Sequence, residues 1–319
     1  MAVSWRFVAL TIVFSLALPV QAQDKAIKIV LGFPPGASSD TLARLIADRM
    51  RVSLEQPVIV ENRPGAGGIV ANEVVKAAQP DGSTILLTPQ TSMVVYPHTF
   101  AKLRYDPFTD FTPIAQLTQF PLALGVAATV PANSVAEYVA WIRKDAAKNG
   151  FYASASAGSM GHFFGVMFAR ASGVATTHVP YKGTAQVLTG LASGDISAAV
   201  LPLSDLSFFE RAGKARLLAV SGSRRSPFAP QVPTFKEVGF DIEGTAWYAL
   251  YAPAGLPRNI LTRYSRAAID AVRSPDLKQR LEALGLEPTG LGSEELARIQ
   301  KDDFDRWGPV VRASGFRSE

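Results

Sequence analysis

The hydrophobic and polar positions of this chain follow two periods in turn, which predicts strands that are each followed by a helix. Residues 27–31 are apolar except for Lys28, and apolar residues then recur at the spacing of one helix face, at Leu42, Leu45, Ile46 and Met50. Residues 32–40 lie between: two prolines and a glycine end the strand, and three good N-cap residues follow, Ser38, Ser39 and Asp40. The unpaired N–H groups of such a helix start suit an anion, although a capped turn without a ligand is the simpler interpretation.

The same alternation recurs along the chain. We predict strands at 57–61, 84–88, 151–153, 177–179, 196–201, 215–221 and 245–251, with apolar runs at 114–117 and 122–127. We predict helices at 69–78, 134–148, 162–171, 185–192, 258–272, 275–284 and 294–306. Strands that alternate with helices predict an α/β fold with mostly parallel sheets, flanked by helices.

Two regions interrupt this repeat. Residues 99–111 lack helical period, and we place the first crossing between domains after them, at the apolar runs 114–117 and 122–127 that precede the helix 134–148. Residues 221–233 are rich in Ser, Arg and Pro, which predicts a linker and the return crossing. We therefore predict a first domain over 23–120, a second over 121–230, and a return to the first over 231–319. Two crossings of this kind build a hinged clamshell.

Residues 1–22 have the pattern of a secretory signal peptide. Arg6 is their single charge, an apolar run covers 7–18, and the small-residue site Val20-Gln21-Ala22 ends them. The run is too short to cross a bilayer, so the mature chain is expected to be exported and to begin at Gln23. The chain has no cysteine, which removes both a disulfide and a lipid anchor on cysteine.

Composition and motifs argue against several classes of binding site. The formal net charge of +5 is spread without a basic block, so nucleic-acid binding is not inferred, while an anionic ligand fits weakly. The three histidines, His98, His162 and His178, lack the spacing of a metal site. The glycine-rich loops lack the Lys-Ser/Thr of a phosphate-binding loop and the spacing of a dinucleotide fingerprint. We expect neither a cofactor nor a metal.

One motif supports an enzyme as an alternative. Ala157-Gly-Ser159-Met-Gly161 is similar to the turn that presents a nucleophilic serine in α/β-hydrolases. That fold needs an acid and then a histidine after the serine, and the later histidines are His162, one turn away, and His178. A helix cap is the simpler interpretation of Ser159, and packing within its own turn that of His162. We therefore predict no catalytic residues.

Several short sequence motifs, taken together and in order, resemble those of the Bug (TctC-like) family of periplasmic receptors of tripartite tricarboxylate transporters. The resemblance spans nearly the whole mature chain and rests on Pro35-Gly-Ala-Ser-Ser-Asp-Thr-Leu-Ala-Arg44, Glu61-Asn-Arg-Pro-Gly-Ala-Gly-Gly68, Pro80-Asp-Gly82, Tyr105-Asp-Pro107, Val179-Pro-Tyr-Lys-Gly183, Val232-Pro-Thr234 with Glu237-Val-Gly239, and Ala252-Pro-Ala-Gly255. It implies a two-domain periplasmic binding protein, expected as a monomer, whose cleft holds a di- or tricarboxylate, an amino acid or an aromatic acid.

The resemblance also implies the ligand contacts. A ligand carboxylate would lie between the loops 33–40 and 154–162, with the turn at 182–184 closing the cleft. The expected ligand-binding residues are Phe33, Pro35, Gly36, Ala37, Ser38, Ser39, Asp40, Gln90, Thr91, Ser154, Ser156, Gly158, Ser159, His162, Lys182, Gly183, Thr184, Pro202 and Asp205. Ser156 stands where the family pattern has glycine, so its hydroxyl could contact the ligand.

The expected partners are the small carboxylate and the membrane subunits of a transporter. A ligand sensor for a membrane signalling protein is the alternative, because the same clamshell serves both roles. The sequence does not select one acid among those that the family binds.

Overall fold

The computed structural model of the protein describes residues 26–36 and 38–317. The predicted signal segment 1–22, the predicted cleavage before Gln23 and the candidate contact Ala37 lie outside the described residues. Within them, no helix is both long enough and apolar enough to span a membrane.

In the described part of the chain, ten strands form one continuous, mixed sheet. They are β1 (Ile27–Leu31), β2 (Val58–Asn62), β3 (Thr84–Pro89), β4 (Phe111–Ala127), β5 (Phe151–Ser154), β6 (Thr177–Pro180), β7 (Ala198–Pro202), β8 (Ala215–Val220), β9 (Thr245–Pro253) and β10 (Glu287–Leu291). The order is β2-β1-β3-β9-β4-β7-β5-β6, and β8 and β10 also pair with β4. Each end is a parallel trio, β2-β1-β3 or β7-β5-β6, and all pairs with β4 and β9 are antiparallel.

The long strand β4 belongs to both halves of the sheet. Its first part pairs with β9, from Phe111 to Pro121, and its second part pairs with β7 and β8, from Leu122 to Ala127. The two apolar runs predicted separately at 114–117 and 122–127 are thus one strand. Two half-sheets joined by a shared strand give the predicted α/β architecture with two lobes.

The chain returns through residues 221–244, a longer connection than predicted. Thr234 forms a parallel bridge with Val220, and Phe235 packs against Phe168, so this segment lies against the second half of the sheet. We propose that the second domain covers residues 122–244, with β9 and the C-terminal helices returning to the first.

Eleven helices flank the sheet in the described part of the chain. They are α1 (Ser38–Leu54), α2 (Ile69–Lys76), α3 (Tyr96–Thr99), α4 (Val135–Lys144), α5 (Ala146–Asn149), α6 (Met160–Ser172), α7 (Thr184–Ser193), α8 (Leu203–Arg211), α9 (Arg258–Arg273), α10 (Pro275–Ala283) and α11 (Ser293–Ser314). A short π-helix (Thr91–Val95) precedes α3. The sequence pattern missed α3, α8 and β10, and it ended α11 eight residues early, at Arg306.

The buried face of each helix is the one that the apolar period predicts. In α1, for example, Leu42, Ile46 and Met50 are fully buried against the sheet. Because α1, α6 and α7 each follow a parallel strand, their N-termini all lie at the carboxyl edge of the sheet. This edge is where the two half-sheets face each other.

Candidate functional site

A cavity of about 180 Å³ lies at this edge, between the two lobes. Its walls come from the starts of α1, α6 and α7 and from strands β4, β7 and β9. The lining residues of this cleft cavity are Phe33, Pro34, Ser38, Ser39, Pro89, Thr91, Tyr96, Phe120, Leu122, Ala155, Ser156, Ser159, Met160, Gly161, Lys182, Gly183, Thr184, Ala185, Gln186, Val200, Leu201, Pro202, Ala246 and Tyr248. Lys182 is the one cationic side chain among them.

Ten of the candidate residues line the cleft cavity: Phe33, Ser38, Ser39, Thr91, Ser156, Ser159, Lys182, Gly183, Thr184 and Pro202. Eight others lie beside it without lining it: Pro35, Gly36, Asp40, Gln90, Ser154, Gly158, His162 and Asp205. The polar members of the second group have protein partners, which the next paragraphs describe.

Asp40 fixes the first loop instead of facing the cavity. Its carboxylate accepts hydrogen bonds from Gly36 N at 3.3 Å, from Arg44 Nε at 3.0 Å and from Asn62 Nδ2 at 2.9 Å. Asn62 Nδ2 also donates to the carbonyl oxygen of Phe33 at 3.0 Å. Burial works against ionisation of Asp40, but the hydrogen bonds from Arg44, Asn62 and Gly36 hold its pKa below the usual range. Asp40 therefore shapes the 33–36 turn that presents Phe33 to the cavity.

A stacked pair of histidines braces the second loop. The rings of His162 and His178 lie 4.0 Å apart, Gly158 N donates to His162 Nδ1 at 3.1 Å, and His178 Nε2 bonds Ser154 Oγ at 2.7 Å. Burial lowers the pKa of His162 to about 4, and burial together with the charge of His162 lowers that of His178 to about 3. Both rings are neutral at pH 7, so neither supplies a cation to a ligand.

Ser159 caps α6 at the cavity wall. Its Oγ accepts a hydrogen bond from His162 N at 3.3 Å and bonds Ser154 Oγ at 2.9 Å. Gly161 is also required at this point, because a Cβ there would overlap the carbonyl oxygen of Val200 in β7. The glycine thus lets the first turn of α6 approach the sheet closely.

Helix α7 begins beside the same wall with its first N–H groups uncapped. Its N-cap, Gly183, has a φ of +126°, which favours glycine, and within the described residues no side chain caps the helix. Thr184, Ala185 and Gln186 of its first turn line the cavity, next to the exposed Lys182. Unpaired amides at a helix start and a nearby lysine are suited to hold an anion.

Ser156 contacts a residue that the sequence did not single out. Its Oγ lies 3.1 Å from the hydroxyl oxygen of Tyr96, which donates to the carbonyl oxygen of Gly67 at 3.0 Å. Burial raises the pKa of Tyr96 to about 12, so the phenol is neutral. Residue 67 is a glycine with a φ of +66°, and a Cβ at this position would overlap the Tyr96 hydroxyl group. The bond joins the first lobe to the second.

Two further polar candidates, Gln90 and Asp205, form hydrogen bonds with protein groups behind the cavity wall. Gln90 Nε2 donates to Asp303 Oδ2 at 2.5 Å, and that carboxylate also accepts from Trp247 Nε1 at 2.9 Å. Asp205, in the first turn of α8, accepts from Ser38 Oγ at 3.3 Å. Burial raises the pKa of Asp205 to about 6, against the opposing hydrogen bonds from Ser38.

The sheet supplies an apolar floor, of which sequence analysis predicted only Pro202 as part of the site. Each of three strands contributes two side chains: Phe120 and Leu122 of β4, Ala246 and Tyr248 of β9, and Val200 and Pro202 of β7. The two residues of each pair are two positions apart, so both side chains lie on the same face of the strand. The strands are neighbours, with Phe120 opposite Ala246 and Leu122 opposite Pro202. The ring centroids of Phe120 and Tyr248 lie 4.8 Å apart, and the rings stack.

In the described residues, no cluster of three or more histidines or carboxylates suits a metal ion.

Comparison with known proteins gives one family. The family model described as tripartite tricarboxylate transporter family receptor matches residues 42–316. Among solved structures, Rpa4515 of R. palustris with adipate is 30% identical, with a TM-score of 0.88 over 92% of this chain and 98% of its own. MatC from Rhodopseudomonas palustris with bound malate is 31% identical, with a TM-score of 0.84 over 92% and 100%. The periplasmic binding protein BugD is 28% identical, with a TM-score of 0.87 over 93% and 99%.

Proposed function

Because this chain belongs to the tripartite tricarboxylate transporter receptor family, we propose that it is a periplasmic solute-binding protein whose cleft cavity captures a small carboxylate. The family that the sequence motifs indicated is confirmed by the match over residues 42–316 and by the similarity to BugD. Two of the similar proteins carry a carboxylate, adipate in one and malate in the other. The family is one of receptors, so we assign a binding activity rather than a catalytic one.

The observation that carries this proposal is the convergence of three helix N-termini on one small cavity. The first residues of α1, α6 and α7 line it, and Lys182 stands at the rim. Each helix start contributes a partial positive charge and N–H donors, which favour a carboxylate without a buried cation. Such an arrangement spares the desolvation of a buried lysine or arginine.

The lining residues come from both lobes, which favours capture by closure. Ser38 and Thr91 belong to the first lobe, and Ser159, Lys182 and Thr184 belong to the second. A ligand that touches both lobes binds the closed form more tightly than the open form and so shifts the population toward closure. We propose that the closed, loaded protein then delivers its ligand to the membrane subunits of the transporter.

Binding is tested with the purified mature protein and a panel of carboxylates, each paired with its uncharged amide. We expect at least one acid to raise the melting temperature while its amide does not. A ligand at 100 times its dissociation constant adds about 2.7 kcal/mol to stability, which a melting curve resolves. If no acid in a broad panel binds the folded protein, the proposal is wrong.

Transport and sensing are separated in cells. Deleting the gene in a strain that grows on the identified acid abolishes uptake if the protein delivers to a transporter. Lost induction of a target gene with uptake intact would instead indicate a sensor. Size-exclusion chromatography of the purified protein tests the proposed monomer.

The hydrolase alternative has little support from the geometry of Ser159. Its hydroxyl bonds Ser154 Oγ and the backbone N–H of His162, and His178 bonds Ser154 in its place. Ser159 thus has no direct hydrogen bond to an imidazole among the described contacts, whereas a serine nucleophile needs one. Esterase activity that disappears in Ser159→Ala would revive this alternative.

A further inference from the structure

Polar and apolar side chains line different parts of the cleft cavity. Most of its polar groups are at the rim, where α1, α6 and α7 begin with Ser38, Ser159 and Thr184, whereas its floor is the largely apolar face of three adjacent strands. On that floor, Phe120 and Leu122 occupy successive inward positions of β4. A ligand that spans the cavity therefore meets hydrogen-bond donors at one end and carbon atoms along its body. Burying polar groups of a ligand on such a floor costs free energy unless each finds a partner.

The floor is built to pack against a flat or extended apolar group. Phe120 and Tyr248 stack with an interplanar angle of 29°, and both side chains are almost fully buried. Met160 of α6, also buried, borders the cavity from the helix side. A thioether beside aromatic rings adapts to apolar and aromatic groups.

The anion-binding capacity of the rim is not equal at all three helix starts. The start of α7 is uncapped and has Lys182 beside it, whereas the start of α1 already has a carboxylate of the protein close by. Asp205 Oδ2 lies 3.3 Å from Ser38 Oγ, and Ser38 itself lines the cavity. A second ligand carboxylate near α1 would lie close to the like charge of Asp205, which is behind Ser38. Such a juxtaposition is repulsive and is strengthened by burial.

From these features we infer that the preferred ligand is a monocarboxylate with an apolar or aromatic body, bound with its carboxylate at the starts of α6 and α7 and its body on the floor around Phe120. This inference rests on the proposed function and narrows its substrate class. In this assignment, Asp205 is a specificity-determining residue, because it disfavours the second carboxylate of a diacid.

The test compares ligands that differ by a single group. Hexanoate and adipate share a six-carbon chain and differ by one carboxylate, and phenylacetate, malate and citrate extend the comparison. Calorimetry on the wild-type protein at pH 7.5 is expected to show hexanoate or phenylacetate binding at least about tenfold more tightly than adipate or citrate, from like-charge repulsion and the unpaired polar groups of the latter.

Two variants test which residues cause the expected preference for monocarboxylates. Asp205→Asn keeps the shape of the side chain and removes its charge, so it is expected to improve adipate binding relative to hexanoate. Phe120→Ala removes part of the floor and is expected to weaken hexanoate binding, and Phe208→Ala serves as the matched control because Phe208 is 64% exposed and lies outside the cavity. Circular dichroism confirms that each variant is folded.

The outcomes distinguish this inference from the proposed function. Adipate, malate or citrate binding the wild-type protein as tightly as the monoacids would overturn the inference and leave the carboxylate receptor in place. An Asp205→Asn variant with an unchanged preference between adipate and hexanoate would remove Asp205 as the determinant. Binding of none of the five acids would overturn the inference and contradict the proposed function together.

Discussion

The hydroxyl groups of Ser156 and Tyr96 lie 3.1 Å apart across the cleft, one from each lobe. Ser156 stands where the family pattern has glycine, and the sequence suggested that its hydroxyl could contact a ligand. In the structure Ser156 lines the cavity and bonds Tyr96, which in turn bonds the backbone of Gly67. A bond between the lobes stabilises the closed form and raises the apparent affinity for any ligand that binds that form.

The first prediction concerns this bond. We expect Ser156→Gly and Tyr96→Phe each to weaken ligand binding by roughly two- to tenfold, since a net hydrogen bond contributes about 0.5–1.5 kcal/mol. Both changes remove the bond between the lobes, and Tyr96→Phe also removes the bond to Gly67, which lies within the first lobe. The double variant should therefore bind hardly more weakly than Tyr96→Phe alone. Calorimetry on the three variants measures this, and strictly additive losses would show that the two hydroxyls act separately.

The second prediction compares Ser159 with Lys182. Ser159→Ala removes the cap of α6 at the cavity wall, and we expect it to weaken binding about ten- to a hundredfold, together with a lower melting temperature. Lys182→Ala should cost less, because Lys182 is exposed and a solvated charge adds little. Calorimetry decides between the two. If Lys182→Ala alone abolishes binding, the carboxylate is held by an ordinary salt bridge.

The third prediction concerns Gly158, which has a φ of +68°. A Cβ at this position would lie 3.3 Å from Phe316 Cε1 and 3.4 Å from Thr99 Oγ1. Gly158→Val therefore adds backbone strain and crowds the contact between the second loop and Phe316. We expect chemical denaturation to show a loss of about 1–3 kcal/mol in the free energy of unfolding. Gly173→Val is a matched control, since its φ is +64° but a Cβ there meets no neighbour.

The fourth prediction is a pH dependence set by Asp205. Its pKa is about 6 in the folded protein and has the ordinary value of 3.8 in the unfolded chain, so the folded state holds the proton more tightly. The wild-type protein should therefore lose stability relative to Asp205→Asn as the pH rises from about 4 to about 6, by at most about 3 kcal/mol, with no further change above that range. Parallel denaturation curves at pH 4, 5, 6 and 7 measure the difference. A difference that does not vary with pH would show that Asp205 is not perturbed.

The fifth prediction concerns processing. Because Val20-Gln21-Ala22 has the small residues of a signal-peptidase site, exported protein should begin at Gln23. Intact-mass analysis of material from the periplasm checks this. A mass that includes Met1 would contradict it, and Ala22→Leu should slow cleavage because a bulky residue replaces a small one.

The parts of the site that the sequence predicted are those with strong local signals. Pro34, Pro35 and Gly36 mark a turn in any context, and the serines at 38, 39 and 159 mark helix starts. Asp40 and His162 were harder to assign, because a polar residue at a helix start either braces the loop or contacts a ligand. Only the position of Asn62 and His178, which are distant in sequence, distinguishes the two roles.

The apolar floor could not be predicted, because Phe120 and Tyr248 lie in strands whose hydrophobic residues are typical of a core. The period of a strand gives the face of a side chain but not whether that face meets protein or an empty space. The strand β10 was missed for a related reason: Pro288 and Gly290 are poor strand formers, and pairing with β4 stabilises it. In α11, burial of Trp307 and Val311 sustains the helix past Pro309.

The shared strand β4 also bears on how the protein folds. Because its two parts complete different halves of the sheet, neither lobe can be cut out as an independent folding unit without leaving the other short of a central strand. The partner β9 joins β4 only after the whole second lobe has been synthesised, so the last pairing to form closes a very long loop. Chains with such distant pairings fold slowly. A slowly folding precursor remains extended for longer, which would suit the export through a membrane that we propose for this chain.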